Sequence, residues 1–191
     1  MTSVYKMTLP ARTMEDADEK VSAVLEKAKA RVGAVPNMYG VMANSPGLLE
    51  TYLDGYARFR QDSGFTPIEQ EVVLLTISRN NGCDYCMAAH STIADKASGV
   101  PSKVTDAIRG GHDIPDPKLA ALSVFVDRML SSRGMPTPDD VSAFLEVGYS
   151  ERQILELVLA IAVKTLSNYS NHLFHTPLDA RFADREWKKQ A

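Results

Sequence analysis

Cysteine is nearly absent from this chain of 191 residues: there are two, Cys83 and Cys86, three positions apart. That excludes a fold stapled by a disulfide framework, which needs several pairs. Long apolar runs are missing as well. The longest, Ile154 to Val163, has ten residues, includes Glu156, and is about half the ~20 residues a membrane-spanning helix needs. Met1 to Pro10 contains no apolar core of the kind found in a signal peptide. These absences lead us to expect a soluble, cytoplasmic protein with no membrane partner. Nor is there an excess of basic charge. Lys and Arg number 21 against 24 Asp and Glu, a net charge of −3, so the basic face that nucleic acid requires is not available. The basic residues near the C-terminus, Arg185, Lys188 and Lys189, read as a solvated helix end.

What is present is helical periodicity. Apolar residues make up 45% of the chain, enough for one real core. Val21, Val24, Leu25 and Ala28 recur at helical spacing and stop at Gly33 and Pro36. A second pattern starts at Ser45-Pro46 and runs to Phe59. Thr66-Pro67-Ile68-Glu69 is a capping box with proline at the first helical position, opening an apolar helix to about Asn80. Asn81-Gly82 breaks the chain, and the cysteine-bearing helix follows to about Ala97. Further helices are expected over Ser102–Arg109, Pro115–Ser132, Thr137–Val147 and from the Ser150 cap towards Phe174. No segment alternates as a strand. The expectation is a single all-α domain over residues 1–191, with about eight to ten helices. The Gly33–Pro46 segment reads as a connection, and the first ~15 residues, which have no periodic pattern, as loosely held.

In a reducing compartment a Cys-x-x-Cys is catalytic or metal-binding rather than a staple. If a helix begins near Gly82, Cys83, Cys86 and His90 share one face. The helix N-terminus favours thiolate at both sulfurs, Cys83 the more by position, while Cys86 lies one turn from His90. Spacing alone does not decide which sulfur attacks. Glu71 precedes Val72-Val73-Leu74-Leu75, where a lone carboxylate is costly. A Glu71–His90 pair across a helical hairpin would hold the imidazole in one tautomer. Zinc on Cys83, Cys86, His90 and Glu71 is the competing reading, disfavoured because structural zinc sites bring two such knuckles. Tyr85 is either a core aromatic or a phenolic donor to the site, with a slight lean to the second. A shift of 85 residues superposes Glu71 on Glu156, Cys83 on Asn168, Cys86 on Asn171 and His90 on His175, with four of 26 positions identical from Phe65 to His90. That suggests a duplicated helical hairpin, with thiols in the copy at about 65–98 and amides in the copy at about 150–180. Asn168 and Asn171 would be structural or substrate-facing.

Glu71 followed by Cys83-x-x-Cys86-x-x-x-His90 resembles the signature of the alkyl hydroperoxidase D (AhpD) branch of the carboxymuconolactone decarboxylase-like superfamily. Val35-Pro-Asn-Met-Tyr39, Ser45-Pro46, Asn168-Tyr-x-Asn-His172 and Thr176-x-Leu-Asp179 resemble its peroxidase-related proteins, so the similarity covers about residues 30 to 180. It implies an all-helical fold from a duplicated unit, assembled as a homo-oligomer, commonly a trimer or hexamer. It implies an antioxidant thiol peroxidase that reduces small organic hydroperoxides without cofactor or metal. Cys86 would be the peroxidatic thiolate, Cys83 the resolving thiol, and Glu71 with His90 the proton relay. A dithiol, of dihydrolipoyl type, would restore the pair. Tyr85 stands where the best-studied members carry a further histidine, which implies a different proton delivery. The alternatives are a general thiol-disulfide oxidoreductase or redox sensor, and a lactone decarboxylase-like enzyme or non-enzymatic oligomer; the decarboxylase branch lacks the cysteine pair.

Overall fold

The computed structural model describes residues 4–16 and 18–189. Among them there are nine α-helices and no strand: α1 Glu19–Val32, α2 Asn37–Met42, α3 Pro46–Asp62, α4 Pro67–Asn80, α5 Asp84–Ile93, α6 Ser102–Gly110, α7 Pro117–Ser131, α8 Pro138–Glu146 and α9 Glu151–Phe174. A π-helical turn, Ala94–Ser98, continues α5, and a 3-10 turn spans Ala180–Arg185.

Helix α4 is the axis. Thr66 and Glu69 form the reciprocal capping box, and Pro67 occupies the first turn. Every residue from Glu69 to Ser78 is buried, so this helix has no solvent face. It packs against α5, α6, α7 and α9. On one side lies a core built on Phe59, Phe125, Phe144 and Tyr149, with the Phe125 and Phe144 rings stacked at 4.3 Å. On the other lies a second core from α1, α2, α3, α5 and α9, and this one contains both cysteines. A Cβ on Gly55 would sit 2.8 Å from Val163 Cγ2, so glycine lets α3 approach α9 closely beside the cysteines. The reversal between α4 and α5 turns on Gly82, whose φ of +67° an L-residue side chain resists. Cys83 follows as the N-cap of α5.

Four expectations are corrected. The Gly33–Pro46 connection contains α2, started where the Pro36 carbonyl accepts from the Tyr39 and Gly40 amides. The N-terminal segment is pinned where it is described: Met7 N donates to Leu173 O at 2.8 Å and Arg12 N to Gly40 O at 2.9 Å. Residues 1–3, also covered by that expectation, lie outside the described residues. The basic C-terminal segment is not a solvated helix end. Arg185 reaches Asp95 at 3.0 Å and Asp106 at 2.7 Å, and Phe182 packs into the cysteine core. Finally, the thiol-free copy is not a hairpin. Leu166-Ser167 stands where Asn81-Gly82 breaks the first copy, and with no glycine there α9 runs unbroken for 24 residues.

Candidate active site

Glu71 is wholly buried. Its Oε2 lies 2.9 Å from His90 Nδ1, across the α4–α5 hairpin. Its Oε1 accepts from Arg60 and, at 3.4 Å, from Ser98 Oγ. Arg60 also donates to Tyr56 Oη at 2.6 Å and to Gln70 Oε1 at 3.0 Å. Burial alone would raise the Glu71 pKa, but His90 and Arg60 outweigh it and hold the group below the usual carboxylate range. An ionised carboxylate only accepts, so Nδ1 of His90 carries the proton and Nε2 is left as an acceptor. Burial, and after it the Lys164 charge, lower the His90 pKa, so the imidazole is neutral at pH 7.

Both thiols are free and buried, Cys83 at 0% and Cys86 at 2% exposure. The two thiols act on each other, which raises the Cys83 pKa and lowers that of Cys86 well below the ordinary value. Burial opposes ionisation at Cys86, while Lys164 and then His90 favour it. The helix-end argument, which favoured Cys83, is thereby reversed. Asn171 Nδ2 points at both, 3.4 Å from Cys86 Sγ and 3.7 Å from Cys83 Sγ. The amide that superposes on Cys86 after the 85-residue shift thus touches Cys86 itself.

The two sulfur-bearing residues line different cavities. Cys86 and His90 line one of about 180 Å³, walled by Tyr39, Tyr52, Tyr56 and Tyr85. Cys83 lines a groove of about 610 Å³ with Asn171, His172, His175, Thr176 and Lys189. Among the described residues Asn171 Oδ1, His172 Nε2 and Thr176 Oγ1 are buried without a hydrogen-bond partner, and all three residues belong to this groove. Tyr85 walls both cavities, and its hydroxyl donates to Asp179 rather than to a sulfur. No group of three or more His, Cys, Asp or Glu side chains among the described residues is arranged to hold a metal ion.

Of the expected residues, Glu71, Cys83, Cys86 and His90 come together. Glu156 does not join them; it is 3.7 Å from Arg152, one turn away on the same helix. Sequence reasoning missed Arg60, Tyr56 and Lys164. Arg60 reaches Glu71 from α3 and is itself bonded to Tyr56, and no spacing relates α3 to α4. Lys164 carried a usable signal, a lone cation at the end of the Ile154–Val163 apolar run.

Residues 46–125 match the carboxymuconolactone decarboxylase family model. The matched segment runs from the start of α3 into α7 and includes Glu71, Cys83, Cys86 and His90. A comparison with curated proteins returns no match. The AhpD-like fold extends over nearly the whole chain. An AhpD-core, peroxidase-related protein from Ralstonia eutropha JMP134 is similar with a TM-score of 0.78 at 21% identity, over 95% of this chain and 96% of that one. A peroxidase-related protein from Silicibacter sp. TM1040 gives 0.75 at 18% identity, over 95% of each chain. A cysteine-to-alanine variant of the debrominase Bmp8, in complex with 2,3,4-tribromopyrrole, gives 0.73 at 16% identity, over 94% and 96%. At these identities the superposition concerns the fold of this AhpD-like chain. No helix of it is long and apolar enough to cross a membrane, among the described residues.

Proposed function

We propose that this AhpD-like protein is a thiol peroxidase for small organic hydroperoxides. The reading is carried by one observation: a sulfur poised as thiolate, Cys86, shares a small aromatic cavity with a neutral histidine anchored on a buried carboxylate. The Cys86 thiolate attacks the terminal oxygen of ROOH; the S–O bond forms, the O–O bond breaks, and the alkoxide leaves as ROH with a proton that comes from solvent and is relayed through His90 Nε2. Cys83 then attacks the sulfenic sulfur and gives up its own proton. Water leaves and a Cys83–Cys86 disulfide remains. A dithiol restores both thiols by exchange and departs as its own disulfide. Its approach from the groove beside Cys83 is supported by the unpartnered polar atoms there. Burial of both sulfurs tells against a bulky protein disulfide as the substrate.

Consumption of cumene hydroperoxide by the reduced protein, with a dithiol present, is the deciding assay. Turnover with loss of two thiols per chain when the dithiol is withheld supports the reading, and a stable thiol count in excess peroxide refutes it. The tyrosine-walled cavity also suits a flat halogenated ring. Bromide release from a bromopyrrole, without peroxide turnover, would move the function to reductive dehalogenation on the same sulfurs.

We further propose a homo-oligomer. Leu155, Val158, Ala162, Tyr169 and Leu173 are exposed at helical spacing along one face of α9, a stripe that water alone covers poorly. Sedimentation should show an assembly, and Val158→Glu should shift it towards monomer; a monomeric wild type at micromolar concentration would refute this.

A further inference from the structure

Lys164 is wholly buried at 0% exposure, and its Nζ has no hydrogen-bond partner among the described residues. An ammonium in that position is costly unless a negative charge balances it. The nearby carboxylates are already engaged. Glu71 is shared by Arg60 and His90, and Asp179 accepts from the Tyr85 hydroxyl and lies 3.3 Å from the Asn37 amide. Lys164 belongs to the face of α9 that carries Ser167, Asn168 and Asn171, all buried, and the last of these touches both sulfurs. Its neighbour Val163 packs in the cluster that contains Cys83 and Cys86. The other titratable groups around this pocket are His90 on α5, Glu71 on α4, and Tyr52, Tyr56 and Arg60 on α3, with Arg181 lining the cavity wall. Among these groups Arg60 and Glu71 cancel, His90 is neutral, and Arg181 is exposed to solvent, which balances its charge. One positive charge is left over, and the two thiols are what remains to answer it.

We propose that Lys164 is the counter-ion of the Cys86 thiolate, the group that holds the attacking sulfur ionised inside an apolar core. The assignment rests on the peroxidase reading for its purpose but not for its physics. It has a consequence for the redox cycle. Oxidation to the Cys83–Cys86 disulfide removes the anion and leaves Lys164 unbalanced, so Lys164 stabilises the dithiol relative to the disulfide and makes the pair more oxidising.

The test follows alkylation of Cys86 by iodoacetamide against pH, resolved by peptide mass, in the reduced wild type, Lys164→Met, Lys164→Gln and Lys164→Arg. Met and Gln should move the midpoint of the rate against pH up by about one pH unit, so that the reaction is about tenfold slower at a pH below the wild-type midpoint. Arg, which keeps the charge, should recover most of the rate. The dithiol–disulfide equilibrium against a reference thiol couple should shift about tenfold towards disulfide in Lys164→Met, which corresponds to about 30 mV. If Met and Gln both titrate within about twofold of the wild type while their thermal melts show a retained fold, the proposal is wrong. If Met fails to fold, Gln carries the same test. Neither readout uses a hydroperoxide, so loss of the peroxidase reading and loss of this one are separable.

Discussion

Cys86→Ser should lower hydroperoxide turnover by about 10³-fold or more, because it removes the nucleophile itself. Cys83→Ser should behave differently. It should consume one peroxide per chain and stop, leaving a sulfenic acid at Cys86 that a carbon nucleophile such as dimedone traps. The contrast depends on Cys86 being the more acidic sulfur, its pKa lowered while that of Cys83 is raised. Quenched-flow peroxide assays and intact mass measure both outcomes. Should Cys83→Ser be the variant with no first turnover, and Cys86→Ser the one trapped by dimedone, the roles of the sulfurs are exchanged. If Cys86→Ser keeps wild-type turnover, Cys86 is not the attacking atom.

Glu71→Gln should cost about 3 kcal/mol of stability, and with it nearly all turnover. The change keeps the volume but leaves Arg60 facing a neutral amide in a buried network and takes the anionic acceptor from His90 Nδ1. The cost falls at the low end of the usual range for breaking a buried pair, since the Arg60 side chain is 21% exposed and retains contact with water. For a chain of this size that is a fall in melting temperature of roughly 6–12 °C. The pH dependence carries a second signature. His90 has its folded pKa below the ordinary 6.5, so its contribution is complete above 6.5 and is lost as pH falls from there through the folded value. Glu71 likewise contributes fully above the ordinary 4.5 and loses that contribution as pH falls through its lower folded value. The wild type should therefore lose stability on acidification in two stages, the first starting near pH 6.5 and the second below about 4.5. Glu71→Gln should keep the first and show a smaller second, because Glu69, Asp16, Asp54 and Asp140 are also held below their ordinary values. Urea midpoints measured across that range test it, and an unchanged second stage would mean that Glu71 is not among the carboxylates responsible.

The sequence by itself determined the helices and the first half of the site. Capping boxes at Thr66 and Ser150 and the Asn81-Gly82 break are local signals, satisfied by atoms within a few residues, so the boundaries of α4 and the start of α9 could be read directly. The Cys-x-x-Cys and its histidine lie on one helix, where spacing is geometry. The carboxylate partner was readable because a glutamate in an apolar run must find a partner. Tertiary structure decided the rest. Which sulfur is acidic depends on the action of the two thiols on each other and on charges from other helices, and these override the helix-end effect that the sequence exposes. Arg60, Tyr56 and Asn171 enter the site from α3 and α9, elements far from the motif in the chain. Lys164 is the sharpest case. Its residue type could be read from the sequence, but complete burial, on the face of α9 that also carries Asn171, makes it part of the thiol chemistry we propose, because burial turns an ordinary lysine into a charge that needs an answer.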